Sequence, residues 1–390
     1  MRNLFRDGLL QLGSKIFTFF YSFLCIKFLS TEQLGISAFM LNVVFFCSVF
    51  WDGSLVNYIL IGLDDRKKKV IDVLSFRLTI LFIILFVSIL MRFFYFFNLS
   101  LFLAILLINF LNLDFIFKAL GRYHLSLIYS MIIYLGSIVS MFLIDAENLM
   151  TGSDYYIVLQ FTLLIFLVQI LHIHRNYINL KNVKFFMVSH VKNFYIEKRI
   201  FFLQSALSII QITSPILIFG FLIKSDLQIG IYRESLFFIA PLEIVNTTLL
   251  IFVQQNIGSN RIIDIVGELK KYYMLILLAF VLCYFLVPMD FVLSTLNVSK
   301  NVELGYVIPL ILLRGLNTIS TFDQLVLINK GFINVVSTIV VFSLVTSTIL
   351  LGVIHISGFS LPLLLILAFF EVPYFILIKN NKLCQKIFFF

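Results

Sequence analysis

Apolar residues run along this chain in long blocks, separated by short polar gaps. A helix that crosses a bilayer needs roughly 20 mostly apolar residues. On that measure the pattern predicts about twelve spans, near 8–28, 34–61, 74–97, 99–118, 124–144, 155–174, 201–223, 229–255, 272–296, 305–328, 332–355 and 360–379. Only Phe97-Asn98-Leu99-Ser100 separates the third from the fourth, and the fourth carries Asn109, Asn112 and Asp114. The expected fold is an all-α polytopic membrane protein.

The gaps are not equivalent. Arg2 and Arg6, Arg66 to Lys69 with Arg77, and Lys118 with Arg122 occupy every second gap. Arg175 to Arg199, Arg261 with Lys270 and Lys271, Lys330, and Lys379 to Lys386 continue the alternation. The other gaps hold only Lys224 and Lys300. Basic loops stay on the cytoplasmic side while Asp and Glu count for little. The expected topology therefore puts both termini of a multi-pass membrane protein on the cytoplasmic side.

Composition agrees. The chain is 61% hydrophobic and 13% charged, with a mean hydropathy of +1.07, whereas soluble domains run nearer ~45–50% and ~25%. The net charge of +9 reads as orientation signal and attraction to anionic membrane lipids, with no nucleic-acid partner implied. The four cysteines form no CxxC pair and imply neither disulfide nor zinc site. The first segment has no small-residue cleavage site and reads as a retained helix. The 47 Phe residues read mostly as lipid-facing filler.

Residues 176–200 form the longest polar stretch, basic and interleaved with apolar positions. They are expected to form an amphipathic cytoplasmic linker between a six-helix lobe at 1–175 and another at 201–390. Ser30-Thr31-Glu32-Gln33-Leu34-Gly35-Ile36 and Ser225-Asp226-Leu227-Gln228-Ile229-Gly230-Ile231 lie half a chain apart, at equivalent turns. Val70-Ile71-Asp72-Val73 and Ile262-Ile263-Asp264-Ile265 match more loosely. Six helices restore the starting orientation, so the lobes are expected to be parallel repeats about a pseudo-two-fold along the membrane normal. All six prolines lie in the second half, and Pro215 is the expected hinge.

Five cations sit inside the spans: Lys15, Lys27, Arg92, Arg233 and Arg314. A charge at the bilayer centre costs about 2.5–3.5 kcal/mol, so a wet internal cavity is expected. Lys27, Arg92, Arg233 and Arg314 fall in the outer half. Asp52, Asp114 and Asp323 fall in the inner half, with Glu243 and Glu371 near the middle. Lys27, Arg92 and Arg233 lie close enough to span ends to snorkel to the interface instead. Arg314 is deeper. Grouped Arg and Lys suit phosphate, because a guanidinium presents forked donors and stays charged. Asp52, Asp323 and Asp114 serve either a coupling ion, H⁺ or Na⁺, or as structural partners of the cations. No metal or other cofactor is expected. His172 and His174, two residues apart, do not face one metal and read as interfacial.

Several segments resemble one known family. Gly8-Leu9-Leu10-Gln11-Leu12-Gly13-Ser14-Lys15 is similar to the start of bacterial polysaccharide-repeat (Wzx-type O-antigen) flippases. Lys27 to Ile36 resembles that family's basic-x-Leu-Gly-Pro-Glu-x-x-Gly turn, with Lys27 for Arg and Ser30-Thr31 for Gly-Pro. Phe50-Trp51-Asp52-Gly53-Ser54-Leu55, Ala119-Leu120-Gly121-Arg122-Tyr123-His124 and Ile229-Gly230-Ile231-Tyr232 resemble further family segments. The resemblance implies the multidrug/oligosaccharidyl-lipid/polysaccharide exporter fold, with two six-helix lobes opening alternately to either side. It implies a polyprenyl-diphosphate-linked oligosaccharide as cargo, contacted by Lys27, Arg233 and Arg314 with Arg92 and Lys15. It also implies a polysaccharide polymerase and a chain-length regulator as partners.

Three rivals remain open. A multidrug exporter of the same fold predicts a net acidic cavity. A polysaccharide polymerase or other glycan-assembly enzyme predicts a large outer loop, but the longest here runs only from about Asp145 to Asp154. A non-transporting scaffold predicts a dry centre.

Overall fold

Long helices make up the computed structural model, which describes residues 2–51, 55, 59, 66–91, 99–120, 122–144, 152–199, isolated positions within 202–220, and 225–255, 262–286, 304–330, 332–356 and 363–380. In chain order the helices are α1 (Arg2–Phe28), α2 (Thr31–Ser48), α3 (Arg66–Met91), α4 (Leu99–Leu111), α5 (Asp114–Ala119), α6 (Tyr123–Leu143), α7 (Ser153–Asn176) and α8 (Val188–Glu197). They continue with α9 (Asp226–Phe238), α10 (Ala240–Gln255), α11 (Ile262–Leu286), α12 (Leu304–Asn329), α13 (Ile333–Ile356) and α14 (Leu363–Asn380). The protein is an all-helical polytopic membrane protein. Among the described residues six helical stretches are long and apolar enough to cross a bilayer. The chain divides into two compact units, Met1–Thr213 and Ser214–Phe390.

The repeated turns have a shared physical basis. Ser30 caps α2: its hydroxyl accepts from the Gln33 amide at 3.2 Å, while its own N–H donates to the Gln33 side chain at 2.9 Å. This reciprocal box satisfies two of the amides that every helix start leaves open. Half a chain later, Ser225 caps α9 by accepting from the Gln228 amide at 3.4 Å.

Two expected spans are broken helices. In the fourth, α4 stops at Leu111 and α5 restarts at Asp114. The Asn112 side chain accepts from the Asp114 amide at 2.9 Å and so stands in for the interrupted ladder. In the eighth, α9 ends at Phe238 and α10 restarts with Pro241 in its first turn, where proline's missing N–H costs nothing. Pro309 and Pro373 lie within helices instead.

In the N-terminal unit α1 packs along α6, joined by the Ser14 hydroxyl donating to Ser130 at 3.3 Å and by the paired rings of Tyr21 and Tyr134. Its aromatic core stacks Trp51 on Phe110 and Phe76 on Phe194, each pair 4.6 Å between centroids. Gly152 starts α7 at φ +83°, a left-handed backbone that glycine adopts without a steric penalty. In the C-terminal unit α12 is central, touching α9, α10, α11, α13 and α14. Gly315 lets α11 approach it, since a Cβ there would sit 2.5 Å from Leu277.

Outward faces are apolar. Leu164, Leu167 and Leu171 on α7, and Leu275, Leu278, Leu282 and Phe285 on α11, are exposed at helical spacing. Lipid is the solvent those faces suit.

After a single 3₁₀ turn at Leu180–Asn182, the linker is α-helical at α8. Before it the chain runs extended along α3, where the Lys184 amide donates to Ser75 Oγ at 3.1 Å and the Phe186 amide to Thr79 Oγ1 at 2.8 Å. Ser75 and Thr79 are four apart, hence on one helix face. They supply the acceptors that would otherwise come from a helix ladder. Tyr195 of α8 donates its hydroxyl to the Phe50 carbonyl, and burial pushes that hydroxyl's pKa up, so it remains a donor.

Candidate functional site

Charged side chains gather at two places on α12, and a polar cavity elsewhere is a third candidate. Arg314 is half-buried. Its Nη2 donates to the Tyr232 hydroxyl at 2.6 Å, and its Nε lies 3.4 Å from Glu243 Oε1. One turn along α12, Asn317 Nδ2 donates to Glu371 Oε1 at 2.7 Å. Glu371 is 7% exposed, and its other oxygen has no hydrogen-bond partner among the described residues. Helices α9, α10, α12 and α14 thus meet around one guanidinium and two carboxylates. With both carboxylates ionised the cluster is net negative. That sign is opposite to the one expected around a diphosphate.

Farther along α12, Asp323 pairs with Lys270 of α11 and is 3% exposed. Its carboxylate is already neutralised, which fits a structural partner better than a free coupling acid. The adjacent Gln324 turns to another neighbour and accepts from the Tyr374 hydroxyl at 3.1 Å, and Tyr273 on α11 donates to Asn246 at 2.6 Å. Arg314, Asn317, Asp323 and Gln324 thus find partners on neighbouring helices, whereas Thr318, Ser320 and Thr321 donate to carbonyls of α12 itself.

The third place is a cavity of about 90 Å³ in the N-terminal unit, beside the break between α4 and α5. Its polar lining is Asn112, Asp114, Ser130, Tyr134, Thr162 and Gln169, and no lining residue is basic. Thr162 donates its hydroxyl proton to the Val158 carbonyl at 2.8 Å. Gln169 is 4% exposed and its amide makes no hydrogen bond among the described residues.

The remaining expected residues are scattered. Lys15 is half-buried on α1, and Lys27 is exposed at its end; neither has an ion-pair partner among the described residues. Arg233 is half-buried on α9 beside the buried Glu234. Asp52, Arg92 and Pro215 lie outside the described residues. Among the described residues no group of three or more His, Cys, Asp or Glu side chains gathers. His172 accepts or donates at Nδ1 with the Tyr129 hydroxyl at 2.8 Å, and His174 Nδ1 accepts from the Leu180 amide at 3.1 Å. Both serve local packing at the end of α7.

Two charged residues have roles that sequence alone did not suggest. Arg77, counted above with a basic loop, is 6% exposed inside α3. Its guanidinium lies over Phe115 at 4.7 Å and Phe110 at 5.7 Å, and Nη2 donates to the Asn109 carbonyl at 3.1 Å. Asp154, 1% exposed at the start of α7, accepts from Ser37 Oγ at 3.3 Å, and its carbonyl accepts from the Tyr21 hydroxyl. The only signal for Arg77 was its place beyond the start of an apolar block. Tyr232 stood only as the end of a family-like segment, and Asn317 and Gln169 had no signal beyond being polar within an apolar block.

The fold is similar to that of a solved multidrug resistance MATE family transporter of the MOP superfamily, captured facing inward, with a TM-score of 0.62, 12% identity and 97% coverage of each chain. No family model and no curated protein matches the sequence.

Proposed function

We propose that this protein is an alternating-access transporter that moves a polyprenyl-diphosphate-linked oligosaccharide across the bacterial cytoplasmic membrane, with both termini on the cytoplasmic side. The observation that carries the reading is Lys15: half-buried midway along α1, which is read as the first span, it has no carboxylate partner among the described residues. An ammonium held there calls for water or an anion, and a lipid diphosphate is an anion that reaches this depth without leaving the bilayer. The flippase-like segments from Gly8 to Ile36 and the MOP-type fold support the same reading. Lys27 would meet the diphosphate near the outer end of α1. Arg314 would take part only after exchanging Glu243 for the cargo.

The test is translocation of a fluorescent polyprenyl-diphosphate sugar in proteoliposomes, read by quenching of the outer-leaflet dye. Lys15→Ala should slow it about tenfold or more, the loss of one charge-assisted contact, and Lys15→Arg should keep part of it. Equal rates for wild type and Lys15→Ala at equal protein content would remove this reading.

A second reading is favoured by the two carboxylates set about one guanidinium at Arg314, Glu243 and Glu371, an arrangement that suits an organic cation. Ethidium efflux that depends on Glu371, in vesicles where the lipid-linked sugar does not move, would select it.

A further inference from the structure

We infer that the linker carries a binding site for an anionic glycerophospholipid of the cytoplasmic leaflet. Lys184, Lys192 and Arg199 take the phosphate, and Phe185 and Met187 lie against the acyl chains. The inference goes beyond the transport reading and does not rest on it, since no cargo enters it.

The linker reaches the bilayer because α3 carries it there. Ser75 and Thr79, both buried, receive the amides of Lys184 and Phe186. Thr79 passes its own proton to the Ser75 carbonyl at 2.8 Å, so its lone pairs are free for the linker. Phe186 turns inward to Phe194, 6.1 Å between centroids. Phe185 and Met187, which share one side of an extended chain, are 57% and 72% exposed.

The Phe185 ring meets Phe82 edge-on at 4.8 Å. Phe82 and Phe86 are exposed one turn apart on α3, inside the stretch Lys67–Val87 that is long and apolar enough to cross a bilayer. Phe185 therefore continues a lipid-facing row. Phe82 lies seven residues beyond Ser75, about 10 Å along the helix, so the segment from Lys184 to Phe185 bridges headgroups and acyl chains. Lys184 is exposed beside Phe185, and a lysine stem is long enough to set its ammonium among headgroups.

Helix α8 sorts its residues by side, at 100° per step. Val191 and Phe194 are buried, with Phe194 between Phe76 and Phe202. Lys192 and Ile196, one turn apart, form a second, exposed strip, and Arg199 follows just past the helix end. His190, Asn193 and Glu197 form a third. The acid is thus turned away from the strip of cations, and it pairs with Lys198 at 3.3 Å. A helix with one side on protein, one basic and apolar, and one neutral to acidic suits the plane of the interface.

Charge and apolarity together select the occupant. Free phosphate would leave Phe185, Met187 and Ile196 without a partner for their apolar surface. A zwitterionic lipid would cover that surface but leave the cations uncompensated. An anionic glycerophospholipid answers both.

The experiment is native mass spectrometry of the purified full chain in detergent, titrated with phosphatidylglycerol or with phosphatidylcholine. Wild type should bind phosphatidylglycerol saturably and about tenfold or more tighter than phosphatidylcholine, at about fivefold per basic residue near the headgroup. Lys184→Gln, Lys192→Gln and Arg199→Gln together should erase that preference, and Phe185→Ser should weaken both lipids. The matched control removes three exposed cations from other basic gaps, Arg122→Gln, Lys271→Gln and Lys330→Gln, and should leave the preference intact. No preference in wild type, or equal loss in the control, overturns the site, the latter because it reduces the effect to diffuse attraction. Excess inorganic phosphate should not displace the lipid; displacement would assign the cations to a free anion. Stoichiometric displacement by polyprenyl diphosphate would make this a cargo site. Either result overturns the phospholipid. Gel filtration checks that each variant is monodisperse; if the triple variant is not, Lys192→Gln decides alone by a loss of about fivefold.

Discussion

The two units dispose of their internal charges in opposite ways. In the C-terminal unit, carboxylates stand against cations across α12: Asp323 against Lys270, and Glu243 against Arg314. In the N-terminal unit the contacts shown at Arg77, Asp154 and Asp114 are with neutral groups. Arg77 lies on aromatic rings, Asp154 takes a hydroxyl, and Asp114 faces a polar cavity without a basic wall. Pairing uses up a charge locally and links helices. Neutral contacts hold a charge in place without cancelling it. The lesson is that an apolar span can hold an ionisable residue either against an opposite charge or among neutral groups, and only its neighbours tell which.

The comparison breaks most sharply at Asp323. Removing one partner of a buried pair leaves an uncompensated charge and costs about 3–5 kcal/mol, so Asp323→Ala or Lys270→Ala should lower the melting temperature of the purified protein more than any other change considered. The double substitution Lys270→Met with Asp323→Leu should recover most of that loss. Failure to recover would mean the pair does more than brace α11 against α12.

Arg314→Ala comes next. It strips the Tyr232 hydroxyl of a charged partner and leaves Glu243 without its cation, at a cost of about 1.5–3 kcal/mol for the charged hydrogen bond. Thermal unfolding would show it, and Arg314→Lys should lose less. Asp114→Asn should behave in the opposite way: the melting temperature should stay level or rise, since a charge leaves a span without stranding a partner. A drop as large as that of Asp323→Ala would erase the distinction between the units.

Smaller effects sharpen the local picture. Ser75→Ala with Thr79→Ala orphans two amides of the linker, at roughly 1–3 kcal/mol each, and should speed proteolysis between Leu180 and Met187. Ser30→Ala, which removes the α2 cap, should cost about 0.5–2 kcal/mol. The looser cap at Ser225 should cost no more than that.

Legibility followed the physics of each feature. Apolar blocks announced the helices because lipid accepts little else, and the serine–glutamine repeat marked both capped turns because capping is local. The polar residues Asn112 and Asp114 flagged the fourth span as unusual. The break itself appears only once Asn112 is seen to cap α5. Helix starts were less legible: α3 begins at Arg66 and α11 at Ile262, before their apolar blocks, because helices extend into water beyond the hydrocarbon. Lys270 and Arg77 were assigned to loops for the same reason, although both reach inward.

By itself, the order of residues determined that this chain is helical, crosses a membrane repeatedly and carries charges inside its spans, since each of these follows from local composition and spacing. Which charges meet was decided only by tertiary structure. In lipid no hydrophobic stripe sets how a helix is rotated about its axis, so the partners of Arg314, Asp323 and Asp114 depend on how neighbouring helices pack. That packing pairs the first two, and it opens a cavity beside the third.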